Sequence, residues 1–299
     1  MAVSLTYGVD VGATSVKAAA VMPDGLIIAE SLLPTPADST EEVIRTIERS
    51  LTIVRSEAPN GLAIGVGIPG WTSADRRRVI YSPNLPWRDE ALADHLETTT
   101  GLGVVLENDA NAAAWAEYRF GAAKSARSMI ALTLGSGVGG AIIAEGALWR
   151  GAHGSAGEIG HCVVVTEGLP CACGRSGCLE NYGSGRSLDC DAADAFGTGE
   201  NLQNAATDGD DMARSIFRRY GARVGRGLAN ACLLVNPELI VIGGGVSGAF
   251  EWFIKSLRRG LRDEMGPHWS GVAPEIVPAG LGDAAGRVGA ADLARDTLR

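Results

Sequence analysis

The chain has 299 residues, of which 46% are hydrophobic and 20% charged, with a net charge of −9. That length and apolar content sustain one large core or two smaller ones. The acidic balance argues against wholesale nucleic-acid binding, which needs a basic surface to displace counterions, and no apolar run reaches the length of a bilayer span. No leader is read ahead of the first strand, so the expected compartment is the cytoplasm, where cysteines stay reduced and available to metals. The 41 glycines are clustered. Clusters mark loops where backbone approaches a ligand closely, so N–H groups can hold an anion without a basic patch.

Residues 5–21 read L-T-Y-G-V-D-V-G-A-T-S-V-K-A-A-A-V. Two β-prone runs flank D-V-G-A-T, which predicts a hairpin with Gly12 and Thr14 at its turn. Such a turn leaves N–H groups for phosphate, the Thr14 hydroxyl adds a donor, and Asp10 suits Mg²⁺ held through water. An ordinary hairpin with a polar turn is the competing reading, since D-x-G-x-T alone is a weak signal. A third strand is expected over 26–32 and a helix over 39–56, opened by Ser39 with acids in its first turn. A buried strand over 63–68 ends in G-I-P-G, with Gly70 placing rigid backbone beside something that needs close approach. Asn84 lies in the loop S-P-N-L-P-W, where its amide can reach a polar ligand. A helix over 90–99 and a short strand over 104–106 come next.

That strand leads into E-N-D-A-N-A-A-A-W-A-E, residues 107–117. Asp109 sits where the strand's carboxyl end meets an alanine-rich helix, the end at which open α/β sheets bind ligands. Asn108 and Asp109 offer a donor, acceptors and a carboxylate to vicinal hydroxyls. The bland alternative is that Asp109 or Asn111 caps the helix.

A β-rich run over 129–134 enters G-S-G-V-G-G, residues 135–140, and a further strand is expected over 141–144. The layout of strand, small-residue turn and strand repeats that of the N-terminus, and predicts two similar half-folds facing one another across a cleft. The segment after this glycine turn is strand-like rather than helical, which argues against a dinucleotide loop.

The next stretch holds E-I-G-H at 158–161 and C-A-C-G-R-S-G-C-L-E at 171–180. His161, Cys171, Cys173 and Cys178 form a closed four-ligand set, the composition of a structural zinc site with no open position. Glu158 and Glu180 bracket it, so a metal folding this loop also sets where two acids point. The bland alternatives are three buried free thiols or a disulfide loop, the latter disfavoured because Cys-X-Cys neighbours seldom bridge well. Residues 184–199 read as polar and irregular. The longest helical pattern covers 211–234, and a strand over 239–242 enters G-G-G-V-S, whose Gly243, Gly244 and Gly245 suit the flat face of a base or ribose. A helix over 250–265, a strand over 275–278 and a closing helix over 288–298 complete the chain. No low-complexity linker occurs, so the domains are expected to be joined by hinges.

With these motifs in order, the chain resembles the ROK family of sugar kinases, and within it the bacterial glucokinases, over nearly its whole length. The resemblance rests on D-V-G-A-T, G-I-P-G, E-N-D-A-N-A-A-A-W-A-E, L-G-S-G-V-G-G, E-I-G-H, C-A-C-G-R-S-G-C-L-E and G-G-G-V-S. It implies the actin-like ATPase and sugar-kinase (ribonuclease H-like) fold, two α/β domains flanking a cleft. We expect a small domain over 1–109, completed by 288–299, and a larger one over 110–287. Asp109 matches the family's catalytic base, and Gly70, Asn84, Asn108, Glu158, His161 and Glu180 its sugar site. Asp10, Gly12, Thr14, Lys17, Gly135, Ser136, Gly137, Gly243, Gly244 and Gly245 match the site for ATP with Mg²⁺. His161 then serves both zinc and sugar through its two ring nitrogens. Ala13 and Ser136 depart from the commoner glycine and threonine, and related enzymes use polyphosphate in place of ATP. The implied activity is a glucokinase feeding glycolysis and assembled as a homodimer or homotetramer. The alternatives are a kinase for fructose, mannose or N-acetylmannosamine, or a non-catalytic sugar sensor. Family repressors carry a winged-helix segment ahead of the first hairpin, so no nucleic-acid partner is expected of a chain beginning at that hairpin.

Overall fold

The computed structural model describes residues 5–36, 39–83 and 85–298. Contacts gather the chain into two compact units. One comprises Met1–Ser125, Leu148–Ala156 and Gly280–Arg299, the other Ala126–Ala147 and Gly157–Ala279.

The first unit opens with the expected hairpin, Thr6–Val11 (β1) and Ser15–Val21 (β2), and returns through Ile27–Pro34 (β3). Ser39 caps the helix Thr40–Glu57 (α1) by accepting the Glu42 N–H at 3.4 Å. Ala63–Ile68 (β4) is buried at every position, as a strand covered on both faces must be. Three short strands, Trp71–Thr72 (β5), Val79–Tyr81 (β6) and Arg88–Glu90 (β7), form a separate small sheet. The last of them takes Glu90, expected to begin the next helix, which instead runs Leu92–Thr100 (α2). Gly103–Asn108 (β8) and the helix Asp109–Phe120 (α3) come after it. The main sheet has the order β3-β2-β1-β4-β8, antiparallel on the hairpin side and parallel from β1 through β4 to β8.

The second unit repeats this plan. Met129–Leu134 (β9) and Val138–Ala144 (β10) form an antiparallel pair with Ala147–Leu148 (β11) at its edge. The strand expected from residue 141 begins at Val138, because Gly139 and Gly140 pair across to Thr133 and Leu132. Helices Glu180–Gly183 (α4), Gly185–Phe196 (α5), Gly199–Thr207 (α6) and Asp211–Val235 (α7) lead to Leu239–Gly243 (β12), then Phe250–Met265 (α8) and Glu275–Pro278 (β13). The sheet order β11-β10-β9-β12-β13 matches the first unit's strand for strand.

Residues 184–199, expected to be irregular, are largely helical. Ser184 caps α5 by accepting the Ser187 N–H, and Leu188 and Ala192 anchor it in the core. Only two apolar side chains mark the buried face, too few to show a helical period through Gly, Ser and Asp.

The final helix, Ala285–Thr297 (α9), lies on the first unit's sheet with backbone nearly touching backbone. A Cβ on Gly8 would sit 1.8 Å from the Arg287 carbonyl oxygen, and one on Gly65 1.8 Å from that of Ala290. Gly289 permits the same closeness to Ala112 of α3. This packing groups α3 with the N-terminal residues, whereas the motifs alone placed 110–287 in the other domain. Each unit has its own core, Ile47, Ile64, Trp87 and Leu106 in the first, Leu132, Phe217, Tyr220 and Phe253 in the second.

Candidate active site and metal centre

In the first unit, β8 delivers Asn108 and Asp109 to the start of α3. The cap is Asn108, neither Asp109 nor Asn111. Its Oδ1 accepts the Asn111 N–H at 3.0 Å, while its Nδ2 donates to the Gly70 carbonyl at 3.1 Å. The structure thus brings Gly70, Asn108 and Asp109 together. Asp109 Oδ1 accepts the Ala110 N–H at 2.8 Å. Asn84 lies outside the described residues.

Beneath this turn lies Glu107, 2% exposed, which site reasoning from sequence passed over. Its Oε1 accepts from Asn111 Nδ2 at 3.0 Å and from the Asn108 N–H at 3.2 Å. Its Oε2 pairs with Arg150 at 2.7 Å and Arg76 at 3.6 Å. Burial lowers the Arg76 guanidinium to about 10 against the pull of Glu107. A buried carboxylate held by two cations and two amides is a rigid footing for the acid above it.

At the first hairpin, the Gly12 N–H donates to the Ser15 carbonyl at 2.9 Å and Thr35 Oγ1 donates to the Gly12 carbonyl at 2.7 Å. Lys17 pairs with Asp283, at the head of α9. Asp10 lies beside them. Its carboxyl is raised above the ordinary value, mainly by burial, with Lys17 pulling it down and Asp283 pushing it up. A Cβ on Gly286 would come within 2.7 Å of the Asp10 carboxyl carbon. The run G-D-A-A-G, 282–286, was the available signal for this second partner of the turn.

In the second unit, one loop gathers His161, Cys171, Cys173 and Cys178, whose ligand atoms all lie within 4.8 Å of one another. Cys173 Sγ is 3.6 Å from Cys178 Sγ, and Cys171 Sγ is 3.7 Å from His161 Nδ1. Those separations match sulfur and nitrogen ligands around one tetrahedral ion. The Arg175 N–H draws the Cys173 thiol down to about 6, and burial pushes Cys178 up to about 12. Backbone bonds Cys171–Arg175 at 2.7 Å, Gly174–Cys171 at 3.0 Å and Leu179–Cys162 at 2.9 Å fold the loop around the sulfurs. All six cysteines are free thiols.

Glu158 precedes the turn Ile159–His161, and Glu180 opens α4. Glu180 Oε2 accepts the Val138 N–H at 3.1 Å. A Cβ on Gly137 would lie 2.5 Å from that oxygen, so glycine there admits the acid. Gly135 bonds across its own turn to Gly137 at 3.0 Å, and its carbonyl accepts the Gly185 N–H at 2.6 Å. Gly244, with φ +82°, packs on the backbone of Leu134, where a side chain would be both strained and obstructed. A cavity of about 650 Å³ has Ser136, Glu180, Tyr182, Ser184 and Arg186 on its wall and reaches Leu169 of the metal loop. Tyr182, Ser184 and Arg186 sit in a stretch to which the motifs assign no role.

No described helix is long and apolar enough to cross a membrane. The ROK family model matches residues 6–297. A glucokinase of Streptomyces coelicolor is 37% identical over 98% of each chain. Among solved structures, a ROK family glucokinase from Streptomyces griseus, in complex with glucose and AMPPNP, is 38% identical with a TM-score of 0.87, covering 98% of this chain and 100% of that one. A ROK hexokinase from Thermus thermophilus is 34% identical with a TM-score of 0.82, covering 98% and 99%. The order of elements in each unit and these full-length matches agree: the fold is that of the actin-like sugar kinases, and the chain belongs to the ROK family.

Proposed function

We propose that the chain is an ATP-dependent glucokinase, transferring the γ-phosphoryl group of ATP to the 6-hydroxyl of glucose. The observation that carries this reading is Asp109, an acid at the first turn of α3 and the carboxyl end of a parallel strand, in a chain matched end to end by glucokinases. Asp109 accepts the proton of the attacking hydroxyl. Asn108, Glu158, His161 and Glu180 orient the sugar through its other hydroxyls, and Gly70 lets backbone approach it. The Gly12 and Gly135 N–H groups close their own turns, and the remaining N–H groups of those turns, with the turn at Gly243–Gly245, bind phosphate oxygens and ribose, with Thr14, Lys17 and Ser136 beside them.

The chemistry of the donors fits the two inorganic groups that the reading needs. Three thiols and one imidazole within 4.8 Å suit zinc, held by His161, Cys171, Cys173 and Cys178. With four protein ligands it orders the loop bearing Glu158 and Glu180 rather than taking part in transfer. Asp10 and Asp283 supply the oxygen chemistry that Mg²⁺ prefers, and Mg²⁺ with the nucleotide neutralises charge on the phosphates. We place the enzyme in the cytoplasm, where thiol ligands persist.

A coupled assay over a sugar panel, with ATP and with polyphosphate, tests the reading. Glucose with ATP should give the highest kcat/KM, because a site built to bond hydroxyls rejects sugars that lack or misplace one more strongly than it rejects apolar bulk. A higher value for N-acetylmannosamine would reassign the substrate within the family. No turnover with any sugar would leave a sensor.

A further inference from the structure

Helices α7 and α8 cross with their backbones almost in contact. A Cβ on Gly225 would sit 2.1 Å from the Leu257 carbonyl oxygen, and one on Gly260 2.5 Å from that of Ala222. Beside this crossing lies a cavity of about 350 Å³ lined by Arg218, Arg219 and Arg226 of α7 and Arg259 of α8, with Ser215, Ser256 and Asp263. Among the described residues none of the four arginines forms an ion pair with a carboxylate. Their neighbour Arg223, by contrast, pairs with Asp191 at 2.6 Å. Arg219 instead donates to Ser215 Oγ at 3.2 Å.

This concentration of positive charge runs against the composition. The two helices hold nine of the chain's 26 basic residues and four of its 35 acidic ones. Arg219 and Arg223 stand one turn apart on α7, as do Lys255 and Arg259 on α8, and like charges at that spacing destabilise a helix. In a chain with acids to spare, four arginines converge on one cavity with a single carboxylate among them. The excess is about three positive charges.

We propose that the α7–α8 groove is an anion site, distinct from the catalytic residues, that takes an oligophosphate. Guanidinium groups bind phosphate oxygens in bidentate pairs, and an excess of about three positive charges is more than one phosphate, at about −2, neutralises. A ligand with linked phosphates, bearing three or more negative charges, satisfies all four and relieves their mutual repulsion. The linked phosphates come either from an inorganic chain or from the tail of a nucleotide.

Titration calorimetry with inorganic tripolyphosphate tests the proposal, using the whole chain with saturating glucose and AMPPNP held at one equivalent per chain. One tripolyphosphate should bind per chain, and Arg218→Gln with Arg259→Gln should weaken it by at least about tenfold. Neither arginine belongs to the sugar or phosphate turns, so the difference reports the groove. Competition by excess ATP would identify a nucleotide tail as the source, and its failure an inorganic chain. Melting curves at low ionic strength give an independent readout. The double variant should melt no lower than wild type without anion, because repulsion has been removed, and tripolyphosphate should raise only the wild-type Tm beyond sodium chloride of equal ionic strength. Heat equal to that of sodium chloride, or undiminished binding to the variant, would overturn the proposal. So would a variant that melts lower than wild type, which makes the arginines structural. A variant that changes the sedimentation coefficient without any tripolyphosphate binding would also overturn it, since a second copy then covers the groove.

Discussion

Asp109 stands on a footing that its own motif supplies. Glu107 holds Asn108 and Asn111, Asn108 caps α3, and the acid between them is fixed by its neighbours rather than by its own bonds alone. Asp109→Asn should therefore lower kcat by at least about a hundredfold, the low end of general-base contributions. Glucose affinity should stay near wild type, because the amide is isosteric. Turnover and calorimetry on one preparation decide it, and near-normal turnover would remove Asp109 as the base. Asp10 gives the opposite kind of test. Its folded-state carboxyl is raised, chiefly by burial, so it stabilises the fold only while protonated. That contribution is complete below the ordinary carboxylate value, about 4, and is lost as pH rises through the raised value. Asp10→Asn should melt higher than wild type above neutrality, with the gain shrinking toward acid, while kinase activity falls. A variant that melts lower at neutral pH would show that the carboxylate is a net stabiliser. Asp109 and Asn108 were legible because a strand-to-helix junction with acids is a local pattern. Arg76 and Arg150 were not, because nothing in their own neighbourhoods points to Glu107.

At the scale of elements, the metal loop is the clearest case of sequence carrying chemistry. The set at 161, 171, 173 and 178 was readable from residue type and spacing, and the loop brings its side-chain nitrogen and sulfur atoms within 4.8 Å of one another. Cys178→Ser should release bound zinc and loosen the segment from Glu158 to Glu180. Thermal stability should drop, since a structural metal contributes folding free energy, and kcat/KM for glucose should fall by about tenfold or more. Metal analysis, a melting curve and a glucose titration on that variant separate scaffold from catalyst. Normal sugar affinity in metal-free protein would refute the scaffold. Helix α5 shows the opposite limit. Its cap and two anchoring side chains are local, but the core that receives Leu188 and Ala192 comes from helices and strands far along the chain.

At the scale of the whole molecule, two units with separate cores and the same strand order predict unfolding that departs from two-state behaviour. The calorimetric enthalpy should exceed the van't Hoff value, with two resolvable transitions at low ionic strength. Stripping the metal should lower the transition of the second unit, which holds the loop, and leave the other within error. A single transition that shifts as one would show that the units melt together.

The sequence by itself determined the hairpins, the glycine turns, the acid at the end of β8 and the histidine–cysteine set of the loop, because each is written in residues a few positions apart. It also determined that the plan occurs twice, through the repeated order of strand, turn and strand. Only the tertiary structure decided that α3 belongs with the N-terminal strands, held there by α9, whose Gly289 admits the Ala112 backbone. The same holds for the cations that meet at Glu107, and for the arginines that α7 and α8 turn toward one cavity. In each of these the partners lie far apart in the chain and the contact depends on packing distance. Periodicity and motif report the chemistry of one segment, whereas close approach between segments is settled when both are buried against each other.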